Sequence, residues 1–278
     1  MRMSLRNANR SILGGCTLLL VAALALAPVA LMLLNSLKSD AAILRNPLAF
    51  PRTFDLTNFF RAWRDGDFTV GLRNSVLLCS ATAFLTVSAA ALAAYPLARS
   101  RATAMRVLGL LILCSVTVPI QLFLFPLFFI FARLHLIGNI FGTALILSAI
   151  NMPMAVLLLR TYVLTIPVEL DDAAVMDGAK RLQIFRYVVL PLMRPGLITV
   201  GILVCLNVWN EYLVTSTFQQ GQQHFTMTLD YLAMNGTITA DQGLLMAGGV
   251  LVVIPMLLVF LATQRFIIAG LTAGAVKG

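Results

Sequence analysis

Residues 166–195 read IPVELDDAAVMDGAKRLQIFRYVVLPLMRP, a charged segment inside an otherwise apolar chain. Its acidic residues come first, where the positive end of a helix dipole favours them, so Glu169–Met176 is predicted to be one short helix. Gly178 follows at the position where a glycine closes a helix by adopting a positive φ. Apolar residues then recur at helical spacing over Arg181–Leu190, until Pro191 ends the pattern. The stretch therefore predicts a bent pair of short amphipathic helices.

The composition is that of an integral membrane protein. Of 278 residues, 60% are hydrophobic and 11% are charged, and the mean hydropathy is +0.92. Soluble globular proteins are about half apolar and about a quarter charged. The formal net charge of +9 does not indicate nucleic-acid binding, because the basic residues are scattered between apolar runs. His135 and His224 are isolated in the sequence, so no metal site is predicted.

Apolar runs of spanning length determine the predicted architecture. A bilayer crossing takes about 20 helical residues, and lipid cannot hydrogen-bond free backbone groups, so each run is predicted to be a helix. The first run could instead be a cleaved signal peptide, but it is long for one, so a retained span is predicted. The fold class is therefore an all-α integral membrane protein. The six predicted spans are 12–34, 74–97, 106–131, 138–160, 196–218 and 244–267.

The basic residues predict the orientation. They cluster before the first span, between the second and third, between the fourth and fifth, and after the sixth, which assigns these segments to the cytoplasm. The connection from the fifth to the sixth span has no lysine or arginine and is predicted to lie outside. The first loop, 35–73, holds six basic residues and argues against this, although so long a loop counts less. Both termini of this multi-pass protein are expected in the cytoplasm.

Polar residues interrupt two of the predicted spans. Asn151 precedes Pro153 in the fourth, and a larger group lies in the fifth. Polar groups at this depth usually face a cavity or another helix. A translocation path or gate is one interpretation, and helix packing, with Trp209 as an interfacial anchor, is the other. The candidate path residues are Asn151, Asn207, Trp209, Asn210 and Glu211.

The run Glu169–Ala179, followed by Phe185 and by Leu190-Pro191, resembles the EAA loop of binding-protein-dependent ABC importer permeases. The resemblance rests on several features at fixed spacing: acidic residues, paired alanines, an Asp-Gly-Ala sequence and a downstream Leu-Pro. Asp171 and Asp172 stand where the family often has glutamates, which keeps the charge. In the family this loop is the coupling helix that sits in a cleft of a separate ATPase subunit; the alternative is an ordinary solvated loop. The implied ATPase-coupling residues are Glu169, Asp171, Asp172, Ala173, Ala174, Asp177, Gly178, Ala179, Phe185 and Pro191.

Two further stretches resemble carbohydrate-uptake members of that family. Trp209–Tyr212 is similar to a Trp-Asn-Glu motif frequent in sugar permeases, and residues 266–278 are similar to the tail of the maltose system's smaller permease. In that system the tail reaches the interface between ATPase subunits. The tail is not a phosphate loop, because Lys277 is followed by Gly278 and not by serine or threonine. The implied tail contacts are Gly270, Thr272, Gly274 and Lys277.

The resemblance implies the permease subunit of a type I ABC importer for a sugar or related polyol, in the cell's inner membrane. Expected partners are a second homologous permease, two ATPase subunits, an extracytoplasmic solute-binding protein and membrane lipid. We expect that the chain is not an enzyme and binds no cofactor, because its sequence has no nucleotide-binding signature and no nucleophile paired with a base. ATP and Mg²⁺ are expected on the partner ATPase subunits.

Two alternatives stay open. The first is an ABC importer for another small solute, such as a polyamine or glycerol phosphate. The second is a self-contained secondary transporter, which would need ion-coupling acids or repeated halves, whereas Glu211 is nearly the only acid within a span. The expected organisation is an N-terminal helix with an extracytoplasmic loop (1–70), a transmembrane core with the coupling loop 166–195 (71–265), and a cytoplasmic tail (266–278).

Overall fold

The computed structural model describes the backbone of residues 2–237 and 241–275 and the side chains of residues 14–236 and 241–265. Within these ranges the chain is helical and has no β-strand, which confirms the all-α prediction. A π-helical turn (Phe185–Val189) and a 3₁₀ turn (Gln222–His224) accompany the α-helices. The α-helices are α1 (Arg2–Ser36), α2 (Asp40–Arg45), α3 (Thr57–Asp65), α4 (Phe68–Arg99), α5 (Thr103–Ser115), α6 (Gln121–Arg133), α7 (Ile140–Thr165), α8 (Glu169–Met176), α9 (Arg181–Ile184), α10 (Leu190–Leu192), α11 (Arg194–Trp209), α12 (Leu213–Phe218), α13 (Met227–Thr237) and α14 (Gln242–Ala275).

Among the described residues, four helices are long and apolar enough to cross a bilayer. They correspond to the predicted spans 12–34, 74–97, 138–160 and 244–267. A fifth crossing is available to the pair Arg181–Leu192 and Arg194–Trp209, which is bent by 74°. The four single helices are Gly14–Ser36, Phe68–Arg99, Ile140–Thr165 and Gln242–Arg265.

Two predicted spans are not continuous helices. The span predicted at 106–131 consists of α5 and α6, of 13 residues each. The break between them contains Pro119, which has no N–H for the helical hydrogen-bond ladder. The span predicted at 196–218 stops at Trp209 and resumes at Leu213. A hydropathy pattern locates an apolar run but does not show where the helix within it is interrupted.

The chain forms two compact units. The first combines Met1–Phe68 with Tyr231–Ile254, and the second combines Thr69–Asp230 with Pro255–Gly278. The division at Phe68 lies beside the predicted boundary at residue 70. The grouping of Tyr231–Ile254 with the N-terminal part was not predicted, because no sequence pattern links segments so far apart.

Within the first unit, the loop after α1 is tied to the start of α14. The Asn58 side-chain amide donates to the carbonyls of Ser36 at 3.1 Å and Lys38 at 2.9 Å. Gly243 donates its N–H to the Asp40 carboxylate at 3.0 Å. A Cβ added at Gly243 would lie 2.6 Å from the Lys38 carbonyl oxygen, so only glycine allows this approach.

Within the second unit, α7 is a central helix. Its buried side chains extend along most of its length and include Leu147 and Leu159. α11 lies close to it, because Gly196 has no side chain: a Cβ there would lie 2.6 Å from the Tyr162 ring. Near the start of α7, the Gln219 side-chain amide donates to the Thr143 hydroxyl at 2.8 Å. The loop 166–195 therefore leaves the end of a well-packed helix.

Candidate functional site

The loop 166–195 folds as two short helical segments joined by a sharp turn. The first is α8, with the bounds predicted from sequence. The second runs from Arg181 to Leu192 through α9, the π-helical turn and α10. π-Helical turns are rare in proteins, and those that occur are often found at functional sites. The predicted bent pair of helices is confirmed.

Gly178 makes the turn between the two segments. Its φ is +81°, the left-handed region that favours glycine. Its N–H donates to the Val175 carbonyl and the N–H of Ala179 donates to the Ala174 carbonyl, both at 2.9 Å. These two bonds form a Schellman motif, which satisfies the last carbonyls of α8. The second segment begins at once, because the Gln183 side-chain oxygen accepts the Lys180 N–H at 2.7 Å.

A buried ion pair fixes the first segment to the end of α4. Asp171 is only 8% exposed, and its carboxylate accepts from Arg99 Nε at 3.0 Å and from the Tyr95 hydroxyl at 3.1 Å. Arg99 also donates to the Ile166 carbonyl at 2.9 Å. One guanidinium thus holds both the start of the loop and α8. Asp171, predicted as an ATPase-coupling residue, points inward and positions the loop.

Apolar contacts fix the second segment. Phe185 and Val189 are buried, and the Phe185 ring lies 5.7 Å from the Tyr95 ring, centroid to centroid. Phe185, also predicted as a coupling residue, is therefore an anchor as well. Pro191 lies in the first turn of α10 and is exposed. Both segments of the loop thus rest on the last turns of α4.

The outward face of the loop combines acids with exposed apolar side chains. Met176 is 86% exposed and Tyr187 is 70% exposed. Neither was singled out from sequence, because the periodicity alone does not show which apolar residues stay uncovered. Leu182, which the periodicity grouped with Phe185, is 69% exposed. The exposed acids are Glu169, Asp172 and Asp177.

Small residues leave a shallow hollow between the two segments. Ala174, Gly178 and Ala179 form one wall, and Tyr187 lies on another. Ala173, the other alanine of the pair, is exposed. The hollow is also lined by one acid, Asp177, and by the apolar Ile184 and Val188.

The structure joins two of the predicted path residues. Asn207 in α11 donates its side-chain amide to the Asn151 side-chain oxygen at 3.2 Å. Asn151 in turn donates to the Leu147 carbonyl at 2.8 Å, within α7. Asn210 is exposed and donates to the Leu206 carbonyl at 2.9 Å. The pair Asn151–Asn207 therefore lies between the two helices, half-buried on α7 and exposed on α11.

The other two predicted path residues take part in hydrogen bonds within the chain, and their path role stays a prediction. Trp209 is 6% exposed, so it is not an interfacial anchor, and its carbonyl accepts from the Thr228 hydroxyl at 2.8 Å. Glu211 uses both carboxylate oxygens at the start of α12, accepting from Val214 N–H at 2.8 Å and Thr215 N–H at 2.9 Å. A carboxylate at that helix end satisfies free donors, as a cap does.

The predicted tail is not separated from the last span by a break. α14 continues through Gly270, Thr272 and Gly274 to Ala275. The side chains beyond residue 265 and the whole of Lys277 lie outside the described residues. The tail contacts stay a prediction.

The described chain thus combines apolar helices of spanning length with a charged loop that is anchored to the end of α4. The family model for the binding-protein-dependent transport system inner membrane component matches residues 86–272, and the chain belongs to that family. The predicted family, that of binding-protein-dependent ABC importer permeases, is thereby confirmed, and the coupling role of the loop 166–195 stays a prediction. The chain is a membrane permease subunit and not itself the catalytic subunit of its transporter.

Similar proteins extend over nearly the whole chain. The arabinooligosaccharides transport system permease AraQ of Halalkalibacterium halodurans is 32% identical and covers 93% of each chain. The melibiose/raffinose/stachyose import permease MelC of Bacillus subtilis is 31% identical, covering 90% of this chain and 91% of its own. A chain of a bacterial ABC transporter for the acidic polysaccharide alginate shares the fold, with a TM-score of 0.77, 24% identity, and coverage of 92% of this chain and 95% of that one.

Proposed function

We propose that this chain is the permease of an ATP-driven importer that takes up an oligosaccharide or a related sugar. The observation that carries the mechanism is the loop 166–195, whose outward face is held rigidly through the Arg99–Asp171 ion pair. The substrate class is supported by relatives with about one third identity that are named for sugar transport. Two ATPase subunits would bind ATP and Mg²⁺. A second permease and an extracytoplasmic binding protein would complete the assembly.

The coupling surface consists of Glu169, Asp172 and Met176 with the hollow beside Gly178. A side chain as exposed as Met176 contributes little to the fold of an isolated chain, so its apolar surface is available to a partner. ATP-driven closure of the ATPase subunits would push on this surface. The ion pair with Arg99 would then pass the movement to α4, and from there to the membrane core.

Met176→Glu is expected to reduce recovery of the ATPase with the purified permease about tenfold, as loss of a central apolar contact does. The measurement is co-purification of the ATPase from detergent-solubilised membranes. Leu44→Glu is the matched control, because Leu44 is 78% exposed and lies in α2, far along the chain. Equal ATPase recovery with both variants would contradict the proposed surface.

The orientation is proposed from the basic residues, with both termini and the loop 166–195 in the cytoplasm. In a chain whose four natural cysteines are replaced by serine, Gln222→Cys should react with an impermeant maleimide in intact spheroplasts. Met176→Cys should react only after lysis. Both positions are exposed in the isolated chain, and the permease is expressed without the ATPase subunits, which would otherwise cover Met176, so accessibility differs only by side of the membrane. The reverse labelling pattern would invert the topology.

The substrate class has a direct test. Proteoliposomes with the full importer and its binding protein should accumulate a labelled oligosaccharide, and unlabelled sugars should compete. Competition by putrescine or glycerol phosphate, and not by sugars, would refute the sugar assignment in favour of the other solute classes.

In the same uptake assay, Asn207→Leu is expected to lower uptake and to leave ATPase retention unchanged. The reason is that the hydrogen-bonded pair Asn151–Asn207 is proposed to line the translocation path.

A further inference from the structure

A basic hollow lies beside the loop's anchor, between the end of α4, the start of α5 and the last turns of α7. We call it the arginine hollow. Its polar wall is formed by Arg101, Arg106 and Arg160. Its apolar wall includes Gly109 and Leu113 of α5 and Val156 of α7. Nothing in the proposed transport mechanism uses these three arginines.

The three arginines are not neutralised by the described part of the chain. The ion pairs found there are Arg61–Asp241, Arg64–Asp65 and Arg99–Asp171, and they include none of the three. Arg160 donates Nε to the Leu97 carbonyl at 3.2 Å, which holds the guanidinium at the hollow. Three uncompensated positive charges around one concave surface create a strong positive potential and favour an anion.

The backbone adds to this potential. α5 begins at Thr103, after Ala102, and its N-terminus has no side-chain cap. The start of an uncapped helix offers free N–H donors and the positive end of the helix dipole. Arg101 and Ala102 both line the hollow, so the helix end and the guanidinium groups meet at one place.

The apolar wall decides which anion fits. α5 buries none of its residues, and Leu110 and Leu113, which line the hollow, are each about half exposed. A soluble phosphate would leave this surface uncovered, whereas the acyl chain of a lipid would cover it. Basic pockets next to membrane helices recognise anionic lipid headgroups by this combination.

We propose that the arginine hollow binds the phosphate of an anionic phospholipid, whose acyl chains lie along α5. The proposal goes beyond the transport function and requires no partner subunit. Leu97, whose carbonyl holds Arg160, lies two residues before Arg99, the anchor of the loop 166–195. A bound headgroup would therefore stabilise the end of α4 on which the coupling surface depends.

The test is native mass spectrometry of the purified full chain in detergent, titrated with phosphatidylglycerol or phosphatidylcholine. The variant is Arg101→Gln, Arg106→Gln and Arg160→Gln together. Each arginine is expected to raise the affinity for phosphatidylglycerol about fivefold, so loss of all three should weaken its binding about a hundredfold. Binding of phosphatidylcholine should not change. The matched control, with the same loss of charge, is Arg52→Gln, Arg73→Gln and Arg133→Gln, which should bind as the unchanged chain does.

Two results would overturn the proposal. One is an unchanged preference for phosphatidylglycerol in the first triple variant. The other is displacement of the lipid by millimolar inorganic phosphate or glycerol phosphate, which would make the hollow a site for soluble phosphate. If the triple variant does not stay folded, Arg106→Gln alone, on the exposed first turn of α5, should still lower affinity about fivefold.

Discussion

Replacing Arg99 by alanine is expected to abolish substrate-stimulated ATP hydrolysis while the permease still inserts into the membrane. The substitution removes the charged partner of the Asp171 carboxylate, leaving only the Tyr95 hydroxyl, and at the same time the donor to the Ile166 carbonyl. Breaking a fully buried ion pair from one side costs about 3–5 kcal/mol, and the cost here lies towards the lower end because the pair is partly exposed and Asp171 keeps the Tyr95 hydroxyl. The loop would avoid this cost by leaving α4, so it would no longer transmit movement. The measurement is ATPase activity of the reconstituted importer with and without loaded binding protein.

The control for Arg99→Ala is Arg64→Ala. Arg64 pairs with Asp65 at the same 3.0 Å, but its side chain is 80% exposed. Exposed pairs contribute about 0–1 kcal/mol, so this variant should hydrolyse ATP normally. Arg99→Lys keeps the charge but not the forked geometry that reaches both Asp171 and Ile166, and should be intermediate. Stimulation by binding protein above half the normal level in Arg99→Ala would show that the ion pair does not carry the coupling.

Gly178→Val is expected to cause the second large loss of coupling. A side chain added at Gly178 meets no atom within 4 Å, so the penalty is conformational and not steric contact with neighbours. A non-glycine residue in the left-handed region costs about 1–3 kcal/mol, and a β-branched one lies at the unfavourable end. Relief of that strain would reorient α8 relative to the second segment. Glu169 and Asp172, which share a helical face, would then be presented wrongly.

A substitution series separates backbone strain from other effects. Asn tolerates the left-handed region, so Gly178→Asn should keep most of the coupling that Gly178→Val loses. Gly15→Val in α1 is the control for adding valine at a glycine without nearby atoms. Gly138→Val would not serve as this control, because the φ of Gly138 is +78° and an added Cβ would lie 2.9 Å from the His224 ring. If importers with Gly178→Val and with the unchanged permease show equal substrate-stimulated ATP hydrolysis, the turn at Gly178 does not take part in coupling.

Much of the candidate site was predictable because its signals are local. The bounds of α8 follow from acids at its start and glycine after its end, and both effects act within one or two helical turns. The roles of single side chains were less predictable. Asp171 and Asp172 are adjacent and chemically identical, yet Asp171 is buried against Arg99 and Asp172 is exposed. The hydrogen-bond partners of Trp209 and Glu211 were unpredictable for the same reason, because a polar or aromatic residue in a span does not indicate which partner it has.

The sequence alone determined the class of protein, the helical character of the spans and the turn at Gly178. The apolar composition indicates a membrane protein, and backbone groups in lipid must form helices because lipid offers no hydrogen bonds. A turn with positive φ favours glycine. Tertiary structure alone decided that Arg99 would hold a loop 72 residues further along, since an ion pair depends on which helix ends meet. It also decided that Met176 stays uncovered and that three arginines, one from α7, one from α5 and one from the connection before α5, line one hollow. Such pairings depend on packing between helices distant in sequence, which no local pattern encodes.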